Sequence, residues 1–93
     1  MDKKFQEHYL SARAEAEGLG VHLRPIQGDL LSFARKTLSG HRESDGFSQL
    51  ADLGRLDLSL EALAVKKQFT ALFSDEEANN ALLRLLDAGY RFN

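Results

Sequence analysis

The chain contains no cysteine. Disulfides and thiolate metal sites are therefore excluded, and a reducing compartment suits such a composition. Long apolar runs are also missing: no stretch approaches the roughly 20 residues needed to cross a bilayer. The opening MDKKFQEHYL lacks the apolar core of a secretory signal. Together these absences set cytoplasmic as the expected location, with no membrane partner.

Nor is there an excess of either charge. Twelve Lys and Arg face fourteen Asp and Glu, for a net charge of −2. Residues 1–46 carry seven of each sign; residues 47–93 carry five basic and seven acidic. Neither half is a polybasic arm, so nucleic-acid binding would need a basic patch assembled by folding. Low-complexity tracts and internal repeats are absent.

The motifs of common chemistries are missing too. His8, His22 and His41 lie in three different segments, and none begins an HExxH zinc helix. His8 beside Glu7, or His41 near Glu43, reads more simply as an exposed histidine than as a ligand. The glycines of GLG (Gly18–Gly20) and the pair Gly40/Gly46 have no phosphate-loop spacing and no following Lys-Ser or Lys-Thr. Asp75, Glu76 and Glu77 are adjacent, so a helix spreads them by about 100° each and they cannot converge on one ion. No calcium-binding loop is present. The sequence thus predicts no catalytic residue, no metal site and no cofactor.

Apolar residues form 43% of the chain and charged residues 28%, ordinary for a globular domain. Ninety-three residues suit one domain spanning 1–93. The patterning predicts an all-α fold: about five helices in a small bundle, with at most a minor strand near Val21–Leu23, which reads equally as a buried connector, or near Tyr90–Phe92.

The first helix is expected over Lys3 to Glu17, capped by Asp2. Phe5, Tyr9, Ala12, Ala16 and Leu19 form a narrow stripe along it, and Gly18 and Gly20 end it. Pro25, the one proline, suits the first turn of a second helix over Ile26–Ser39, stopped by Gly40. GHRESDG (Gly40–Gly46) reads as a mobile loop. A third helix is expected over Phe47–Leu53. RLDLSL alternates and reads as a brief extended segment.

Leu60–Phe73 cannot be one straight helix, since its apolar residues fall on two opposite faces. A break at Val65-Lys66-Lys67 resolves this into two short helices, Ser59–Val65 and Lys67–Phe73. Ser74-Asp75-Glu76-Glu77 is a capping box that opens the last helix, whose three early acids suit the helix dipole. Ser59, Ser74 and Ser48 all read as caps rather than nucleophiles.

Two functions fit. The first is a non-catalytic adaptor, inhibitor or regulator that binds another protein or a second copy of itself. Its apolar surface would be drawn from Phe5, Tyr9, Leu83, Leu86, Tyr90 and Phe92, a surplus of the kind that marks interfaces. The alternative is a small helix-turn-helix DNA-binding regulator using residues 59–73. Lys66, Lys67, Gln68 and Thr70 would then meet the nucleic acid, with Arg55 and Arg84 as further phosphate contacts. Against it, the second helix would be short and mostly apolar, with few side chains able to read a groove.

Overall fold

A computed structural model describes the protein at residues 3–26, 28–40 and 42–90. Five α-helices follow one another: α1 (Lys3–Gly18), α2 (Leu30–Ser39), α3 (Phe47–Asp52), α4 (Leu60–Ala64) and α5 (Asp75–Asp87). Single 3-10 turns occupy Leu56–Leu58 and Thr70–Leu72. No strand occurs among the described residues, and the fold is all-α.

The stripe on α1 is an inner wall. Phe5, Tyr9, Ala12 and Ala16 are buried, whereas Leu19, just past the helix, stays exposed. α1 packs against α4 and the 3-10 turn at Leu56–Leu58, with its small residues Ala12 and Ala16 among those buried. The Phe5 ring meets Phe69 and Phe73 edge-on at 5.3 and 5.4 Å and stacks on Tyr9 at 5.9 Å. These are favoured aromatic geometries. The expected Asp2 cap lies outside the described residues.

The second helix starts later than the sequence suggests. Asp29, not Pro25, sets its beginning: the Asp29 carboxylate accepts from the Ser32 N–H at 3.0 Å. Gly28 has φ +78, which cannot be continued into a right-handed helix. Residues 21–26 form a connector rather than a strand, pinned where His22 N donates to Gln49 Oε1 at 3.1 Å. Gly46 lets this connector pass close by. It holds φ +77, and a Cβ there would lie 2.6 Å from Val21 Cγ1 and 2.8 Å from Leu23 Cδ2.

Two further expectations fail locally. RLDLSL is not extended: its backbone turns at Leu56–Leu58, and Leu56, Leu58 and Leu60 are all buried. Ser59 explains the coil, because its hydroxyl donates to Leu56 O at 2.7 Å and accepts from Ala62 N at 3.1 Å. It therefore closes the 3-10 turn and caps α4 at once. Ser48, by contrast, sits inside α3, whose cap is Gly46.

The helix expected over Lys67–Phe73 does not form either. The chain turns through Lys66–Phe69 and makes one 3-10 turn before extending at Phe73. A seven-residue helix nucleates poorly alone. Here Phe69 and Phe73 are held by Phe5, and the α5 cap begins at the next residue. The predicted break after α4 is present, with Val65 as the C-cap. The α5 capping box is complete: Ser74 Oγ accepts from Glu77 N at 3.1 Å and Glu77 Oε1 accepts from Ser74 N at 2.8 Å.

Candidate functional site

α5 has two faces with different surroundings. The inner face carries Glu77, Ala81 and Leu85, all buried. Beside them, Asn80 and Arg84 project one turn apart toward the end of α2. Asn80 Nδ2 donates to Leu38 O at 3.0 Å, and Arg84 Nη2 donates to Gly40 O at 2.6 Å. Arg84 Nη1 also reaches Thr37 O at 3.4 Å. The last carbonyls of a helix have no partner within it and form the negative end of its dipole. Arg84 and Asn80 supply the missing donors and the matching charge.

Arg84 also neutralises Glu61. That carboxylate is fully buried, and Arg84 Nη1 lies 3.3 Å from its Oε2. Ser44 completes the shell, its N–H donating to Glu61 Oε2 at 2.9 Å and its hydroxyl to Oε1 at 2.6 Å. Every element at this end is joined: α2, the loop before α3, α4 and α5. The loop expected to be mobile is therefore anchored at Ser44; His41 lies outside the described residues. A buried carboxylate requires this degree of satisfaction. Its partners leave no face of it open to a substrate.

The outer face of α5 is different. Leu83 is 51% exposed and Leu86 52% exposed. At 100° per residue, Glu76, Asn79, Leu83, Leu86 and Asp87 fall within about 100° of arc, and all five are exposed. Leu82 flanks them, half-buried. Tyr90 is half-buried and packs against the core, its N–H donating to Leu85 O at 2.9 Å, so it edges this surface instead of projecting from it. Phe92 lies outside the described residues.

Phe5 and Tyr9 do not belong to any surface. They are 1% and 5% exposed. The sequence pattern read their stripe as a possible partner face, but the segment 69–73 covers it. Tyr9 is held protonated, its pKa raised by burial, with the adjacent Arg13 guanidinium opposing this in part.

The residues of the DNA-binding alternative lie on the turn after α4. Lys66, Lys67 and Gln68 are exposed and Thr70 is half-buried. They occupy a turn and the start of a 3-10 turn, not the surface of a helix. Arg84 is turned inward, as described. Arg55 is bound by Asp57, at 3.1 Å, and by Glu15, at 2.6 Å, which together raise its pKa further. The two arginines are thus committed to carboxylates within the protein.

A groove beside this turn is lined by Glu7, His8, Glu15, Asp57 and Lys66, among others. His8 packs edge-on against Phe69 at 5.3 Å. Among the described residues no group of three or more His, Asp or Glu is placed to hold a metal ion. No described helix is long and apolar enough to cross a membrane.

Sequence reasoning missed the Glu61–Arg84–Ser44 cluster. A signal was present: Glu61 interrupts the apolar run LSLEALAV at a position facing inward, and Arg84 does the same in LLRLL. Compared with protein-family models, curated proteins and solved structures, the chain matches none of them.

Proposed function

We propose that the protein is a small non-catalytic binding module, an adaptor, inhibitor or regulator, that docks another protein on the outer face of α5. The observation that carries this reading is the half-exposure of Leu83 and Leu86 on one face of a helix whose opposite face is fully engaged. Two adjacent leucines held on a firmly seated helix offer an apolar anchor that needs no reordering before it binds. The DNA-binding reading receives less support. Its basic residues stand on a turn, and a groove-reading helix is missing from residues 66–73.

A photo-reactive residue at position 83, set against one at exposed Glu17 on α1, tests this in extracts of the native host. A discrete cross-linked protein from position 83 alone, which when purified binds the chain and loses binding with Leu83→Asp, supports the reading. The same products from both positions, or none from either, would reject it. Light scattering with a random duplex at low salt is the companion measurement. A complex that dissolves as salt rises, and is lost with Lys66→Glu and Lys67→Glu, would transfer the function to the turn.

A further inference from the structure

We infer that the partner of this face is a cationic amphipathic helix, and not a second copy of the chain. The inference rests on the docking role of α5 and adds the chemistry of what docks. The exposed residues of α5 include Asp75, Glu76, Asn79, Leu83, Leu86 and Asp87. Three are acids and none is a base.

The one basic residue of the helix, Arg84, is turned away. Its side chain is 11% exposed and bound to Glu61 and to the end of α2. Among the described residues no cation lies within ion-pairing distance of Asp75, Glu76 or Asp87. Asp75 and Glu76 also favour the helix dipole in the first turn. Asp87 has no such role, because it stands at the negative end, where a base would be favoured. With no ion-pair partner for Asp87 among the described residues, the apolar pair has an acid toward each end of the helix.

Complementarity then selects the occupant. Two copies of α5 brought together would oppose acid to acid, with no base among the exposed described residues of the helix itself and Arg42, beside Asp87, as the neighbouring cation, which disfavours the pairing. A helix with apolar residues three and four apart, and Lys or Arg at its flanks, would cover Leu83 and Leu86. It would also neutralise Glu76 and Asp87.

The test uses the full chain and two synthetic amphipathic helices of equal length, one of Leu and Lys and one of Leu and Glu. Binding is read by fluorescence anisotropy and by amide chemical shifts; self-association is read by light scattering. The Leu/Lys helix should bind at least about tenfold more tightly than the Leu/Glu helix, a difference of about 1.4 kcal/mol. It should shift α5 amides and lose binding with Leu83→Asp. Asp87→Lys with Glu76→Gln should weaken it about tenfold, whereas Glu17→Lys with Asp52→Asn, the same charge change elsewhere, should leave it nearly unchanged. Asp87→Lys places a base where the helix dipole favours one, so unfolding would not explain a loss.

Equal binding of both helices through Leu83 would overturn the charge argument and leave the docking role standing. A dimer broken by Leu83→Asp would replace the cationic partner with a second copy. An equal response to both sets of charge variants would reduce the binding to general attraction and overturn the inference. If neither helix moves α5 amides while position 83 still cross-links a protein, the inference fails and the docking role survives.

Discussion

Two clusters of the core hold together by different physics. In one, Phe5, Tyr9, Phe69 and Phe73 meet as rings, and the cohesion is apolar burial, which is weakly directional. In the other, Glu61, Ser44 and Arg84 meet as charges and dipoles, and cohesion depends on every group finding its partner. The aromatic cluster can be degraded gradually. The polar cluster stands or falls on single atoms, because removing one member leaves another buried and unpaired.

The largest effect should come from breaking the polar cluster. Arg84→Met keeps an unbranched apolar stem but strands the Glu61 carboxylate and uncaps α2. A loss of about 3–5 kcal/mol is expected, read by urea denaturation. Adding Glu61→Leu should recover much of it, since an apolar pair can replace a buried ion pair. If the double variant is no better than Arg84→Met, the carboxylate was not the cause.

Phe5→Leu in the aromatic cluster should cost less, about 1–2 kcal/mol, within the range of ordinary core substitutions. Equal losses in the two clusters would erase the distinction drawn between them.

Alkali sharpens the comparison from another side. The Tyr9 pKa is raised in the folded protein, so the folded state keeps a proton that the unfolded chain releases above about pH 10. Stability from this source is intact below pH 10 and falls as pH rises toward the folded pKa. Tyr9→Phe should remove that part of the alkaline loss, as followed by melting temperature from pH 8 to 12. An unchanged pH profile would show that Tyr9 does not couple to folding.

The smallest effect on stability belongs to the outer face of α5. Leu83→Asp, at a half-exposed site near the negative end of the helix, should stay within about 1 kcal/mol, while removing partner binding. A large loss of stability would mean that Leu83 supports the fold instead.

The same contrast explains what could be read in advance. α1 and α5 were legible because a long amphipathic period and a capping box are local signals. Ser59 announced α4 in the same way, and the opposed apolar faces announced the break after it. The reading failed where short segments answer to distant neighbours. Lys67–Phe73 has a helical pattern, yet its two phenylalanines are positioned by Phe5, more than sixty residues earlier in the chain. Leu56–Leu58 alternates like a strand, yet Ser59 closes it into a turn. The stripe Phe5–Tyr9 was correctly seen as apolar. Whether it faced the core or a partner depended on what lay across it.

By itself the sequence determined the helical class, the Ser59 and Ser74 caps of α4 and α5, and the polar and apolar sides of the long helices. All of these rest on interactions within a few residues, which a period or a cap encodes directly. The tertiary structure decided which apolar residues stayed outside. It also turned Arg84 inward, to a buried carboxylate on α4 and to the end of α2, and so left the outer face of α5 acidic and bare. Burial and charge pairing depend on which elements meet, and packing settles that beyond the reach of any local pattern.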